Sequence, residues 1–220
     1  GEVAPPTGGR SLRWLVCGNS LIFYTGIFFQ GGKGLRVISG TAKGTKLRSV
    51  AGHTTRPTAD RVKESLFNIL GPAIAGGDFL DLYAGNGGIG LEALSRGARS
   101  VIWIDLNPAC TKMIQANLEK TRLAGGTIYT NDVLRGLRQL ARAKNSFDYI
   151  FLDPPYDRGL LVRTLELLDT LTILKKGGLI IAEASKKEDA PRSMSKLCLI
   201  RTEYYGDTTL YFYQNKEETE

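Results

Sequence analysis

The chain has 220 residues, room for one large domain or a domain with an appendage. Its 42% hydrophobic content can fill a sizeable core, and 23% charged with 9% aromatic residues excludes global disorder. Lys and Arg outnumber Asp and Glu by 29 to 22, a formal charge of +7, while the lone His53 and the distant Cys17, Cys110 and Cys198 fit neither a disulfide scaffold nor a His/Cys zinc site.

In chain order, residues 1–34 stand apart. The chain starts at Gly1 rather than Met, which suits a processing scar, and the apolar stretch Trp14–Phe29 is interrupted by Gly18, Asn19, Ser20, Thr25 and Gly26. A spanning helix wants about 20 apolar residues in a row. The expectation is an extension that packs on the protein or is not native, with no membrane role. Leu35–Val50 reads as a β-hairpin punctuated by Gly40 and Gly44. A helix follows Arg56-Pro57, with Thr58 as N-cap and Val62, Leu66, Ile69 and Leu70 as its apolar stripe, until Gly71-Pro72 stops it.

From Gly77 onward strands and helices alternate. Strands are expected at Phe79–Tyr83, Val101–Asp105, Thr127–Thr130, Tyr149–Leu152 and Leu179–Ala182, with helices between them. Asn107-Pro108 opens one helix as N-cap and first residue, and Lys175-Lys176-Gly177-Gly178 closes another. Leu197–Tyr204 and Thr209–Tyr213 then follow each other through Gly206-Asp207. Repeated β-α units ending in a hairpin predict an α/β, Rossmann-like fold. It is a seven-stranded, mostly parallel sheet with helices on both faces and an antiparallel C-terminal strand pair. The expected divisions are 1–34 as extension, 35–76 as hairpin and helix, 77–214 as the main domain and 215–220 as tail.

Three clusters carry chemistry. Residues 35–65 hold Arg36, Lys43, Lys46, Arg48, Arg56, Arg61 and Lys63 against only Asp60 and Glu64, which suits an anionic partner, nucleic acid first, or else a solvated face. Gly85, Gly87 and Gly90 spell GxGxxG between a buried strand and a helix, where the backbone can approach a ligand and the helix start offers free N–H groups. Asp105 ends the next strand, placed to accept from ribose hydroxyls or to cap a helix. Asp132, after the third strand, is placed to accept from an adenine amine or likewise to cap. The pattern suits a dinucleotide or S-adenosylmethionine. Asp81 favours the second, because a carboxylate repels a pyrophosphate and attracts an ammonium. Finally, Asp153-Pro154-Pro155-Tyr156 ends the fourth strand, where α/β sheets form their ligand crevice. The prolines expose carbonyls and donate no N–H. Asp153 and the Pro154 carbonyl can therefore accept from an exocyclic amine, with Tyr156 as a stacking face for a flipped base.

These residues resemble the class I S-adenosylmethionine-dependent methyltransferases with a (D/N)PPY motif. Arg36–Gly40, the block Arg56–Phe67, Asp81–Gly85 and Gly206–Leu210 further resemble the RsmD-like family, over about residues 35–214. That resemblance implies transfer of a methyl group to N2 of a guanine in small-subunit ribosomal RNA, with S-adenosylmethionine as cofactor and no metal. It implies Asp153, Pro154, Pro155 and Tyr156 at the target base. It places Asp81, Tyr83, Ala84, Gly85, Gly87, Gly90, Asp105, Leu106, Asp132, Val133 and Thr58 at the cofactor, and the seven basic residues at RNA. The implied partner is ribosomal RNA, within a small-subunit particle, for a monomer in the cytoplasm, or in an organellar stroma or matrix if residues 1–34 belong to a targeting region. Methylation of adenine N6 or cytosine N4 in DNA or RNA uses the same tetrapeptide, and an RNA-binding assembly factor without turnover is the reading from another class. An NAD-dependent dehydrogenase would leave Asp-Pro-Pro-Tyr without a task.

Overall fold

The computed structural model describes residues 35–48, 57–156 and 158–216. The expected extension 1–34, the end of the tail, His53 and Arg56 lie outside them. Five helices and seven strands follow in chain order: α1 (Pro57–Leu70), β1 (Asp78–Leu82), α2 (Gly88–Ser95), β2 (Ser100–Asp105), α3 (Pro108–Thr121), β3 (Gly126–Thr130), α4 (Val133–Arg142), β4 (Phe147–Leu152), α5 (Leu160–Thr170), β5 (Leu174–Ser185), β6 (Leu197–Tyr205) and β7 (Thr208–Asn215). The strands form one sheet of order β3-β2-β1-β4-β5-β7-β6, parallel from β3 to β5 and antiparallel at β7 and β6. Its order reverses between β1 and β4, and at that switch point the strand tips splay into a crevice.

Side chains alternate across the pleat, so the sheet has two apolar faces. Phe79, Trp103, Phe151, Ile181 and Phe212 pack with residues of α1, α2 and α3. Leu80, Ile104, Ile150, Ile180 and Ala182 pack with α4 and α5. Buried on both sides, the central strands read as continuous apolar runs. A polar clamp fixes their lower ends: the Lys175 ammonium bridges Asp78 Oδ2 at 2.7 Å and Asp148 Oδ2 at 2.8 Å, and Arg99 also pairs with Asp78.

The hairpin expected at 35–50 closes, among the described residues, through an antiparallel bridge between Arg36 and Lys46 and backbone bonds from Val37 N–H to Thr45 O, Gly44 N–H to Val37 O and Leu47 N–H to Leu35 O. Side chains of α2 take up amides that this pairing leaves over. Ile38 and Ser39 donate to the buried Glu92 carboxylate at 2.7 and 2.9 Å, and Ala42 donates to Ser95 Oγ at 2.9 Å. Val37, Ala42 and Leu47 thereby join the main core. Helix α1 begins at Pro57, whose fixed φ and missing N–H suit a first position, so Thr58 lies inside the first turn and is not the cap. Lastly, Lys175-Lys176-Gly177-Gly178 belongs to β5. Leu174 pairs with Phe147, and after an irregularity Leu179 pairs with Tyr149, because the Lys175 clamp draws this segment onto the sheet.

Candidate active site

The crevice floor is built from the tips of β2, β1, β4 and β5. Tyr83 follows β1 with a left-handed φ of 58°, which swings the chain from strand into loop, and its hydroxyl lies 2.8 Å from Thr164 Oγ1 on α5. The loop Ala84–Gly87 is tied down from beneath. Gly85 N–H donates to Asp105 Oδ2 at 2.8 Å, Gly88 N–H to Asn86 Oδ1 at 2.8 Å, and Asn117 Nδ2 to Asn86 O at 3.1 Å.

The three motif glycines have different tasks. Gly85, at φ 55°, has open space where a side chain would begin, with no heavy atom within 4 Å. A cradle of this kind admits a ligand. Gly87 caps α2 and faces Ile114, whereas a Cβ on Gly90 would lie 2.3 Å from Trp103 Nε1. Gly90 also donates its amide to Asp81 Oδ2 at 2.9 Å. Both glycines therefore let the helix pack closely against the sheet.

Asp81 is 2% exposed, and burial raises its carboxyl well above the usual range, against the Gly90 amide and with the Asp153 and Asp105 charges. Buried in this way, it organises the loop from below. Asp105 holds Gly85 and Asn107 amides, while Asn107 is the true cap of α3. Leu106 beside it stands 68% exposed, an apolar face at the crevice mouth. Asp132 lies past the end of β3 and caps α4 through the Arg135 amide at 3.0 Å. Val133 is buried in the core, so only its backbone can meet a ligand.

At the tip of β4, Asp153 opens into the crevice, Pro154 is buried, and Tyr156 is 43% exposed. Asp153 keeps exposed surface, yet the protein around it partly desolvates its carboxyl, and this, then the Glu188 charge, pushes it up to about 7. Motif spacing gave no hint of Glu183. It sits on β5 next to Ala182, the register partner of Leu152, and so stands level with Asp153. Its carboxyl is likewise raised, by burial first and by Asp153 second. The Tyr156 hydroxyl is raised too, by burial and then by the Asp153 and Glu183 charges. Acid, acid and ring thus share one corner. The available sequence signal is a single carboxylate inside the apolar run Leu179–Ala184.

The family model described as Conserved hypothetical protein 95 matches residues 35–214. A Bacillus subtilis protein named "Putative rRNA methyltransferase YlbH" is 42% identical over 83% of this chain and 100% of its own. The Escherichia coli K12 protein named Ribosomal RNA small subunit methyltransferase D is 33% identical over 87% of this chain and 95% of its own. The chain belongs to the RsmD family. The solved structure of Escherichia coli yhhF superposes with a TM-score of 0.75 at 30% identity, covering 84% of this chain and 100% of that one.

The family's methyl donor, S-adenosylmethionine, fits the residues present. Gly85, with open space beside it, Asp105 and the exposed Leu106 are the residues that would hold it. Among the described residues no group of His, Cys, Asp and Glu could hold a metal, and no helix is long and apolar enough to cross a membrane.

The basic block of this RsmD-family chain divides. Lys43, Lys46, Arg48 and Arg61 are exposed, and Arg36 is half-buried. Lys63 is not a surface group: it is 4% exposed and donates to Arg36 O at 2.6 Å, and burial lowers its pKa. Its apolar stem lies on the stripe side of α1, which carries the ammonium inward. Asn117 accepts from Arg48 N–H at 2.7 Å and also donates to the glycine loop, which ties the Arg48 backbone to that loop.

Proposed function

We propose that the protein transfers a methyl group from S-adenosylmethionine to the exocyclic N2 amine of a guanine in small-subunit ribosomal RNA. One observation carries this: Asp153 and the half-exposed Tyr156 meet at the sheet's switch point, beside the open cradle at Gly85. The names of the bacterial relatives support the RNA class.

When bound, the cofactor supplies a methyl group already activated on a sulfonium sulfur. The chain's own work is alignment. A guanine amine is a poor nucleophile because its lone pair is delocalised into the ring. Tyr156 stacks the flipped base. Asp153 and the Pro154 carbonyl accept the two N2 hydrogens, which withdraws the lone pair from the ring's π system and localises it toward the methyl. The amine sheds one proton as the new N–C bond forms, and a carboxylate whose pKa lies near 7 is suited to hold it at an Asp153 oxygen. The exposed Lys43, Lys46, Arg48 and Arg61 hold phosphates around that base. The cell's ribosome-containing compartment is the place of action.

Labelled-methyl transfer to naked small-subunit RNA and to small-subunit particles, followed by nucleoside analysis, tests this. N2-methylguanosine is expected. N6-methyladenosine would redirect the substrate while keeping amine chemistry. A methyl on a ring carbon or a ribose would overturn the mechanism, because neither carries an amine for Asp153 to orient.

A further inference from the structure

We propose that Glu183 is a specificity-determining residue that accepts a hydrogen bond from the N1–H of the target guanine, beside the N2 amine held by Asp153. The inference rests on the guanine-N2 reading above and deepens it.

Position comes first. Leu152 and Ala182 are register partners on parallel neighbours, so Asp153 and Glu183 are the next residues along at the same height. Phe151 and Ile181 lie in the apolar layer shared with α1 to α3, and the pleat directs Glu183 to that same face. On the other side β7 pairs Leu210 with Glu183. The Tyr156 ring completes the corner, its hydroxyl feeling both carboxyl charges.

The second observation is the state of the acceptors. Other acids around the strand tips are engaged. Asp81 accepts from Gly90, Asp105 from Gly85 and Asn107, Asp132 from Arg135, and Glu188 from Ser185. Further down, Asp169 accepts from three consecutive amides. Among the described residues, no hydrogen-bond donor reaches the Asp153 or Glu183 carboxyl. Asp153 is exposed and Glu183 half-exposed, so both carboxyls stand open, side by side, to a ligand that brings donors.

The chemistry of the bases then selects the ligand. Guanine is the only one of the four RNA bases with two adjacent donors, N1–H and N2–H₂, on its pairing edge. Adenine and cytosine offer an amine next to a bare ring acceptor, which would face a carboxylate lone pair. Uracil has a ring N–H and no amine. Two neighbouring carboxyls therefore match guanine and disfavour the others. Asp153 alone would accept any of the three amines.

The test pairs a change in the protein with one in the base. Small-subunit RNA is prepared with guanine or 2-aminopurine at the methylated position. The analogue keeps the N2 amine and lacks N1–H. Transfer rates are measured for the wild type and Glu183→Gln. Binding is followed independently of turnover by the rise in 2-aminopurine fluorescence on unstacking and by competition with the guanine RNA. The wild type is expected to prefer guanine by about 10–100-fold, the range for a hydrogen bond to a charged group. In Glu183→Gln the preference should collapse at least about tenfold, because the amide N–H can donate to the bare N1 of the analogue. Cofactor affinity should not move. Glu183→Asp keeps the charge on a shorter stem, should lose part of the preference, and carries the test if the Gln variant folds poorly. A wild type indifferent to the analogue, or variants that keep the full guanine preference, would overturn the inference while leaving the function intact. A wild type that methylates no guanine overturns the functional reading itself, and shows this before any variant is compared.

Discussion

Asp153 shows how one side chain can be set by its surroundings. Its carboxyl is raised from 3.8 to about 7, by lost hydration first and Glu188 second. Only the ionised form can take the proton that the amine sheds. Transfer should therefore rise with pH through about 7 and fall about tenfold per unit below it. A pH–rate profile checks this, and Asp153→Asn should lose both the rate and the inflection while still binding cofactor. The stability effect has the opposite sign. A raised carboxyl holds an extra proton in the folded state between its unfolded pKa near 3.8 and its folded value near 7. Its contribution is complete below that window and is lost as pH rises through it. Thermal melts should show Asp153→Asn gaining on the wild type between pH 4 and pH 8. A profile flat across pH 7 would assign the rate-controlling ionisation elsewhere.

At the scale of elements, the glycine loop depends on how α2 meets the sheet. Gly90 lets the helix rest on Trp103 and Val101, where a Cβ would stand 2.3 and 2.7 Å from their side-chain atoms. Trp103 is fully buried and cannot retreat. Gly90→Ala should cost about 3 kcal/mol, the upper range for overpacking, and should also weaken cofactor binding by shifting Asp81 and the loop. Denaturant melts and calorimetry measure the two effects. Gly85→Ala is the contrast. It meets no protein atom, and its φ of 55° disfavours a side chain by roughly 1 kcal/mol, so the main loss should fall on the ligand.

Over the whole molecule, the cations of the 35–65 block lie on the side of the sheet that carries α1 and the bridged segment 35–48, while Arg135, Arg138, Arg142 and Lys144 are exposed on and after α4. With Lys63 buried, Lys43, Lys46, Arg48 and Arg61 are the exposed group. If those four touch phosphates of a single strand, RNA affinity should fall with a log–log salt slope of about −3. Reversing Lys43, Lys46 and Arg48 to Glu should flatten that slope and leave cofactor affinity unchanged. A slope near zero for the wild type would make this face ordinary solvated surface.

The alternation of strands and helices, the seven strands and the two loops at the switch point are legible in the amino-acid order alone. Local rules govern these. Buried parallel strands are apolar runs, glycine marks the loop, and Pro-Pro allows little but an exposed turn. Asn107 was legible as a cap for the same reason. Residues whose task depends on distant partners become readable only in the folded chain. Lys63 looks like a surface cation until Arg36 O takes its ammonium. Gly90 looks like a ligand contact until Trp103 is found against it. The segment at 35–48 reads correctly as a hairpin, but only the fold shows that Glu92, 53 and 54 residues away, anchors two of its amides. Glu183 is one acid among 22 Asp and Glu in the sequence. It becomes part of the site because β5 pairs beside β4 in a register that sets it level with Asp153, and register is fixed by packing across the whole sheet rather than by any local pattern.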